Sequence, residues 1–177
     1  MTKPSRIIKA LNVETLLGIA REGVSPGCIA ALADLGLVLD APATDVPAET
    51  WAAAVKCLSA DLFPGLPELE ATRRLAHVGM QLFVSSPTGM VMQTVSRMLG
   101  RERSLLRLTQ FFQTGANFLR CELLTLSDGW EVRINDVSGV PGFYLGTLDH
   151  RANPARAPRL AELLEWTPPG ARYRLYR

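Results

Sequence analysis

The chain has 177 residues, of which 47% are hydrophobic and 20% are charged, and its formal net charge is +2. This composition predicts a globular protein long enough to bury a core, and the lack of an apolar run of about 18 residues excludes a membrane-spanning helix. The small charge excess gives no dense basic face, which argues against nucleic acid as a partner, and the lack of a secretion signal favours a cytoplasmic protein.

Two short helices are predicted at the start of the chain. Asn12 is placed to cap the first helix, which ends near Gly23, because asparagine favours helix starts and glycine favours helix ends. Ser25 followed by Pro26 signals the cap and first position of the second helix, which ends at Gly36.

A third helix follows the proline-containing connector at residues 41–47. Its candidate cap is Asp45 or Thr50, since both side chains can accept a hydrogen bond from the first turn. We predict one domain over the whole chain. It begins with a helical part, 1–62, that could be a subdomain, and continues through 63–177 as further helices and a sheet.

The most regular hydrophobic periodicity in the chain predicts a helix from about Pro67 to Val84. Its apolar residues recur at steps of three and four, and its polar residues occupy the opposite side. His77 falls on the polar side. We therefore expect His77 to face solvent rather than to act as a ligand or a general base.

Two more helices meet at Gly100. The first begins at Ser86-Pro87, a cap followed by proline, and the second closes at Gly115. Four arginines surround the junction, and their planar guanidinium groups could bind an anion such as phosphate or carboxylate. The alternative is that they complement the negative end of a helix. These arginines are Arg97, Arg101, Arg103 and Arg107.

From Phe118 onward the pattern changes to that of strands. Asp128-Gly129 lies between two strand-like runs, which is a hairpin signal. With these two residues as the loop, Leu123 pairs with Ile134 and Thr125 pairs with Val132, so one face of the hairpin is apolar. Cys121 lies on that apolar face and is expected to be buried.

The last part of the chain is predicted to add a helix and a second hairpin. Pro141 starts the helix, in which Gly142 and Gly146 would allow close approach to another backbone. Residues 159–166 fit either a helix or a strand, and residues 171–177 alternate as a strand does. The fold class is α+β: a helical N-terminal two-thirds followed by a small antiparallel sheet built as hairpin, helix, hairpin.

Catalytic signatures are lacking, so we expect no enzyme activity. The sequence has two histidines and no phosphate-binding or dinucleotide-binding glycine pattern. Cys28, Cys57 and Cys121 form no C-x-x-C pair, which argues against a structural zinc site and a disulfide framework. We therefore predict no catalytic residue, no metal site and no cofactor.

Three blocks of sequence resemble an uncharacterised domain family that has many paralogues in myxobacteria. They are LFPGLPELEATRRLAHVGMQLF at 62–83, SPTGMVMQTVSRMLGRERSLLRLTQFFQTGANF at 86–118 and VSGVPGFYLGTL at 137–148, and the short segment around Trp51 agrees as well. The chain departs from the family pattern at Ala76-His77 and Ala116-Asn117. The family is distantly similar to heme-nitric-oxide-binding and 4-vinyl-reductase-type domains.

The resemblance implies a domain that holds a small or hydrophobic ligand between its helices and its sheet. Our leading hypothesis is a non-enzymatic sensory or regulatory domain with a cavity of roughly 300 Å³ or more. Heme is not expected, because His77 and His150 are poorly placed as axial ligands. The candidate ligand-binding residues are Met90, Met92, Phe111, Phe112, Phe118, Trp130, Phe143 and Tyr144.

The alternative function is a protein-interaction or homodimerisation module without a ligand. In that case an exposed apolar surface would be the functional part of the molecule. Plain core packing is the ordinary role of methionine and aromatic residues at such spacings.

Overall fold

The computed structural model of the protein describes residues 5–99, 101–152 and 161–176, and within these ranges the chain forms seven helices and six strands. The helices are α1 (Ala10–Arg21), α2 (Pro26–Asp34), α3 (Ala48–Leu62), α4 (Glu68–Ser85), α5 (Pro87–Leu99), α6 (Arg101–Gly115) and α7 (Pro141–Ala152). The strands are β1 (Ile7–Ile8), β2 (Val46–Pro47), β3 (Cys121–Leu126), β4 (Gly129–Ile134), β5 (Ala161–Thr167) and β6 (Gly170–Tyr176).

The start of α1 is capped by a residue distant in sequence. Asp45 accepts a hydrogen bond from the backbone N–H of Ala10 at 2.9 Å and one from Lys9 Nζ at 2.8 Å. The Lys9 ammonium lowers the pKa of Asp45 below its usual range. The predicted cap Asn12 instead lies inside α1, where its amide donates to the carbonyl of Gly115 at 3.2 Å.

The prediction that Asp45 or Thr50 caps α3 is therefore wrong. That helix begins at Ala48 after Pro47 and has no side-chain cap, and Thr50 lies within its first turn. The physical reason is the pairing of β1 with β2, which brings Asp45 beside the first amide of α1. Such a long-range pairing leaves no local trace in the sequence.

Two other predicted helix starts are confirmed. The Ser25 side chain accepts a hydrogen bond from the backbone N–H of Cys28 at 3.2 Å and opens α2. Ser86 does the same for Gly89 at 3.1 Å at the start of α5. The long helix predicted from about Pro67 to Val84 is α4, which begins one residue later and ends one residue later.

The α+β architecture is confirmed, with the sheet after the helices and α7 between its two hairpins. Strands β3, β4, β6 and β5 are hydrogen-bonded in that order, and each pair is antiparallel. Of residues 159–166, which fit either a helix or a strand in the sequence, 161–166 belong to β5, and 159 and 160 lie outside the described residues. Residues 151–158, whose two prolines predict a connector, begin as the last two residues of α7, and 153–158 lie outside the described residues.

The predicted register of the first hairpin is wrong by two residues. Leu123 pairs with Val132 and Thr125 pairs with Trp130, so the loop is Ser127-Asp128. Gly129 belongs to β4, where a Cβ atom would lie 2.1 Å from the Leu175 carbonyl oxygen of β6. Glycine is therefore required at position 129 by the close approach of β6 rather than by the turn. The predicted apolar face of the hairpin is unchanged, because a register shift of two residues keeps each side chain on the same face of the sheet.

Helix α7 packs against α4 with almost no separation between the two backbones. A Cβ atom on Gly142 would lie 2.2 Å from the Leu69 carbonyl oxygen, and one on Gly146 would lie 2.2 Å from the Arg73 carbonyl oxygen. This confirms the prediction that Gly142 and Gly146 allow their helix to approach another backbone closely. We call this contact the α4–α7 seam.

One hydrophobic core contains residues of both the helices and the sheet. On the sheet side Tyr173 is fully buried and donates a hydrogen bond to the Pro141 carbonyl at 3.0 Å, which ties β6 to the start of α7. No helix in the described part of the chain is long and apolar enough to span a bilayer.

Candidate functional site

A small apolar cavity lies among the helices, beside the α4–α7 seam. Its volume is about 60 Å³, well below the roughly 300 Å³ expected from the sequence. Its walls come from the N-terminal segment and from five helices, α1, α3, α4, α6 and α7. Its large apolar and aromatic lining residues are Ile8, Trp51, Met80, Phe83, Phe111, Phe112, Leu119, Phe143 and Tyr144.

Aromatic rings keep the cavity small. The ring centroids of Trp51 and Phe143 are 5.1 Å apart, and those of Phe112 and Tyr144 are 5.4 Å apart, both in edge-to-face geometry. The ring centroids of Phe83 and Phe111 are 5.7 Å apart, and the two rings are tilted by 45°. Rigid rings in such contacts fill most of the space between the helices yet cannot interdigitate completely, so a void remains.

Most polar side chains of the cavity wall form hydrogen bonds to other groups of the protein. Thr15 donates to the Leu11 carbonyl at 3.1 Å, and Thr147 donates to the Phe143 carbonyl at 2.9 Å. Asn12 is engaged with Gly115, as described above. Burial raises the pKa of the Tyr144 phenol far above its usual value, so this group stays neutral.

Trp51 differs from these polar residues. Its side chain is 3% exposed, and its indole N–H has no hydrogen-bond partner among the described residues. A buried donor without a partner is unfavourable by about 1–3 kcal/mol. An acceptor atom on a molecule inside the cavity could relieve that penalty.

The structure brings together four of the eight predicted ligand-binding residues. Phe111, Phe112, Phe143 and Tyr144 all line the cavity. Three of the other four lie elsewhere in the described structure. Phe118 lies beneath the Arg6 guanidinium at 4.8 Å, Trp130 is buried in the sheet, Met90 is 53% exposed, and the Met92 side chain is outside the described residues.

Five of the nine wall residues named above were not among the predicted ligand-binding residues: Ile8, Trp51, Met80, Phe83 and Leu119. Trp51 is named from the sequence only within the short segment that resembles the family, and Met80 and Phe83 lie in the last turns of α4, where Met80 is buried. Periodicity indicates that such residues face inward. It carries no information about which inward-facing residues border a void.

His77 is less exposed than predicted. Its Nε2 atom lies 3.8 Å from the Asp149 carboxylate, and the side chain is only 37% exposed. Burial lowers the pKa of His77, Arg73 lowers it further, and Asp149 partly offsets both. His77 borders the α4–α7 seam and does not line the cavity.

The predicted anion-binding arginines remain a prediction. Arg103 and Arg107 are exposed on α6, while the side chains of Arg97 and Arg101 lie outside the described residues, as does that of His150. Within the described ranges, no group of three or more His, Cys, Asp or Glu residues is arranged to hold a metal ion.

Two comparisons place the chain among known proteins. A family model described as a protein of unknown function, DUF2378, matches residues 3–175. No curated protein matches the chain. The similarity to solved structures, in contrast, extends over nearly the whole fold.

Several solved H-NOX domains share this fold. An oxygen-binding H-NOX domain related to soluble guanylate cyclases, solved as its oxygen complex, is 14% identical with a TM-score of 0.65, over 96% of this chain and 95% of that one. A mutant H-NOX from T. Tengcongensis is 16% identical with a TM-score of 0.61, over 96% and 98%. A structure that probes heme distortion in the H-NOX family is 15% identical with a TM-score of 0.66, over 96% and 95%. At such low identity these comparisons establish the fold alone.

The cavity does not fit a heme. A volume of about 60 Å³ is far too small for a tetrapyrrole, and no histidine or cysteine is among the described residues of the wall. The remaining wall residues with ligating atoms, Met80 and Tyr144, are packed in the core, and Tyr144 is held in its neutral form.

Proposed function

This chain belongs to the DUF2378 family, whose function is not established, and we propose that it is a non-enzymatic sensory or regulatory domain that binds a small apolar molecule in the helical cavity. The ligand carries one hydrogen-bond acceptor, which receives the Trp51 indole N–H. The unpartnered Trp51 donor at the wall of an apolar cavity is the observation that carries this proposal.

The size of the cavity limits the ligand. A volume of about 60 Å³ has room for about four water-sized groups, given that one such group needs about 10–15 Å³. The aromatic wall disfavours charged molecules, because no Asp, Glu, Lys or Arg is among its described residues. Small ketones, ethers and alcohols have the required combination of apolar body and single acceptor.

A sensory role suits the position of the cavity. Its wall combines residues of β1 with residues of α1, α3, α4, α6 and α7, so a bound molecule would contact elements from both ends of the sequence. Binding that favours one packing of these helices over another is the physical basis of ligand-dependent signalling. The H-NOX-like fold is consistent with such a role.

The proposal is tested by the substitution Trp51→Phe. This change keeps an aromatic ring but removes the N–H donor, so the affinity for acetone is expected to fall about fivefold, the equivalent of one neutral hydrogen bond. Affinity for isobutane, which has the same number of heavy atoms but no acceptor, should be nearly unchanged. Isothermal titration calorimetry or ligand-observed NMR of the full chain measures both.

Trp130→Phe is the matched control. Trp130 is also a buried tryptophan, but it lies in β4 and is not among the cavity residues, so its substitution should leave the preference for the ketone intact. Equal affinity of the wild-type protein for ketone and alkane, or no binding of either, would contradict the proposal.

The second candidate function is homodimerisation or protein interaction. It is favoured by exposed apolar residues on two adjacent helices, with Met90, Val91 and Met98 on α5 and Leu106 on α6. Native mass spectrometry of the purified chain distinguishes the two candidates. A copurified small-molecule adduct on a monomer supports the ligand domain, and a concentration-dependent dimer without an adduct supports the interaction module.

A further inference from the structure

Two cysteines distant in sequence meet between the second and third helices. The Sγ atoms of Cys28 in α2 and Cys57 in α3 are 3.2 Å apart, and both thiols are free. A disulfide needs a sulfur separation of about 2.05 Å, so an approach of about 1 Å would allow the bond to form. The spacing of the three cysteines in the sequence argues against a disulfide framework and does not indicate this pair.

The helices that carry the two thiols are held together beside them. Asp61, one turn beyond Cys57 on α3, accepts hydrogen bonds from the backbone N–H of Ser25 at 2.9 Å and from the Ser25 hydroxyl. Ser25 is also the cap of α2 and lies three residues before Cys28. The start of α2 is thereby fixed against α3, which keeps the two sulfur atoms in contact.

We propose that Cys28 and Cys57 form an oxidative modification site, at which a hydroperoxide converts the two thiols into a disulfide that links α2 to α3. In the first step one thiol is oxidised to a sulfenic acid, and the peroxide is reduced to water or an alcohol. In the second step the other thiol attacks that sulfur and displaces its hydroxyl group as water, so two electrons pass from the thiols to the peroxide.

The order of the steps follows from access to solvent. Cys57 is half-buried whereas Cys28 is 4% exposed, so the peroxide reaches Cys57 first. Burial, reinforced by the neighbouring Cys57 thiol, raises the pKa of Cys28 to about 12. Its reactive thiolate is therefore scarce at neutral pH, and the second step is slow.

The third cysteine provides an internal comparison. Cys121 lies in β3, and burial raises its thiol pKa to about 12 as well. It is not paired with another cysteine in the described structure, so it can be oxidised only singly.

The site lies on the same helix as the cavity donor. Trp51 and Cys57 are both in α3, six residues apart, and Cys28 of α2 contacts Cys57. The disulfide would restrict movement of α3 relative to α2 whether or not the cavity binds a ligand. The modification site thus stands independently of the proposed function.

The test is oxidation of the folded full-length chain with hydrogen peroxide or diamide, followed by intact mass and peptide mapping. We expect the mass to fall by two hydrogen atoms, the titratable thiols to fall from three to one, and a Cys28–Cys57 crosslinked peptide to appear. Dithiothreitol should reverse all three changes. The thermal midpoint should also rise by about 5–10 °C on oxidation, since the bond closes a loop of moderate length.

Matched variants distinguish the pair from general thiol oxidation. Cys57→Ser should abolish the loss of two hydrogen atoms, and Cys121→Ser should retain it. Because a serine could disturb packing, Cys57→Ala serves as a second variant with the same expectation. Sulfinic acid at single cysteines, disulfide-linked dimers, or a crosslink that forms only after unfolding in urea would overturn the proposal.

Discussion

Helix α4 has two neighbouring stretches that pack in opposite ways. Around Leu69 and Arg73 its backbone touches the glycines of α7, and no space remains between the two helices. Around Met80 and Phe83, farther along the same helix, its side chains border the cavity of about 60 Å³. The difference shows how a single helix can be both a rigid support and the wall of a site.

The contrast comes from side-chain size. Glycine removes the Cβ atom and lets two backbones meet, so the α4–α7 seam fixes the distance between the helices. Aromatic side chains at the cavity are large and rigid, and they leave a void when the helix spacing does not suit them. We therefore expect changes at the seam to affect the whole fold and changes at the cavity to affect binding.

The largest expected effect is at Gly146. Gly146→Ala would place a Cβ atom 2.2 Å from the Arg73 carbonyl oxygen and 2.9 Å from the Ala76 Cβ atom, so the two helices must separate. The free energy of unfolding should fall by about 3 kcal/mol, the upper part of the range for overpacking. Urea unfolding monitored by circular dichroism measures the loss.

Gly18→Ala is the matched control for Gly146→Ala. Gly18 also lies inside a helix, but nothing is within 4 Å of its added Cβ atom. Alanine should stabilise the protein there by about 0.5–1 kcal/mol, because helix formation costs glycine more conformational entropy. Equal changes in the free energy of unfolding for the two substitutions would contradict the claim that the seam is closely packed and that Gly18 is not.

The next largest effect is expected at Asp149, the buried charge of the seam. This carboxylate is 6% exposed, and it accepts hydrogen bonds from Arg73 of α4 at 2.8 Å and from the Ala161 N–H of β5 at 2.8 Å. Asp149→Asn should lower the free energy of unfolding by about 2–3 kcal/mol, since a charged hydrogen bond is lost in a buried place.

Glu70→Gln tests whether burial causes the effect of Asp149→Asn. Glu70 also pairs with Arg73, but its side chain is 34% exposed, so the substitution should lower the free energy of unfolding by less than about 1 kcal/mol. A loss at Glu70 as large as that at Asp149 would mean that burial is not the cause.

A smaller, pH-dependent effect is expected at His77. Its folded pKa lies below the ordinary value, chiefly because of burial, so the unfolded chain binds a proton more readily than the folded one. Stability from this residue is therefore present above about pH 6.5 and is lost as the pH falls. His77→Gln should flatten the decrease in the urea midpoint between about pH 7 and about pH 5.5. An unchanged slope would show that His77 is not involved.

Local features of the fold could be predicted from the sequence. The Ser25 and Ser86 caps and the α4 stripe depend on neighbours in the chain, and the structure confirms them. The spacing of Gly142 and Gly146 is also local, and it indicated a close backbone approach without indicating that α4 is the partner. The Asp45 cap and the Cys28–Cys57 contact could not be predicted, because both depend on pairings between distant segments.

The candidate site was predicted only in part for a related reason. An apolar residue at helical spacing faces inward, but whether it meets a neighbour or a void depends on the spacing of the helices. Phe112 and Tyr144 border the cavity, whereas Trp130, equally apolar and equally buried, packs in the sheet. The size of the cavity was overestimated because the edge-to-face ring contacts that fill it have no sequence signature.

The most direct test of the account is xenon binding to crystals of the full chain. Xenon is an apolar probe that enters dry cavities, and a void of about 60 Å³ has room for one atom. We predict a single xenon atom between Met80 and Phe112, with the α4–α7 seam unchanged. Pressurised crystals with no xenon at that position would contradict the claim that the helices enclose a ligand-binding cavity.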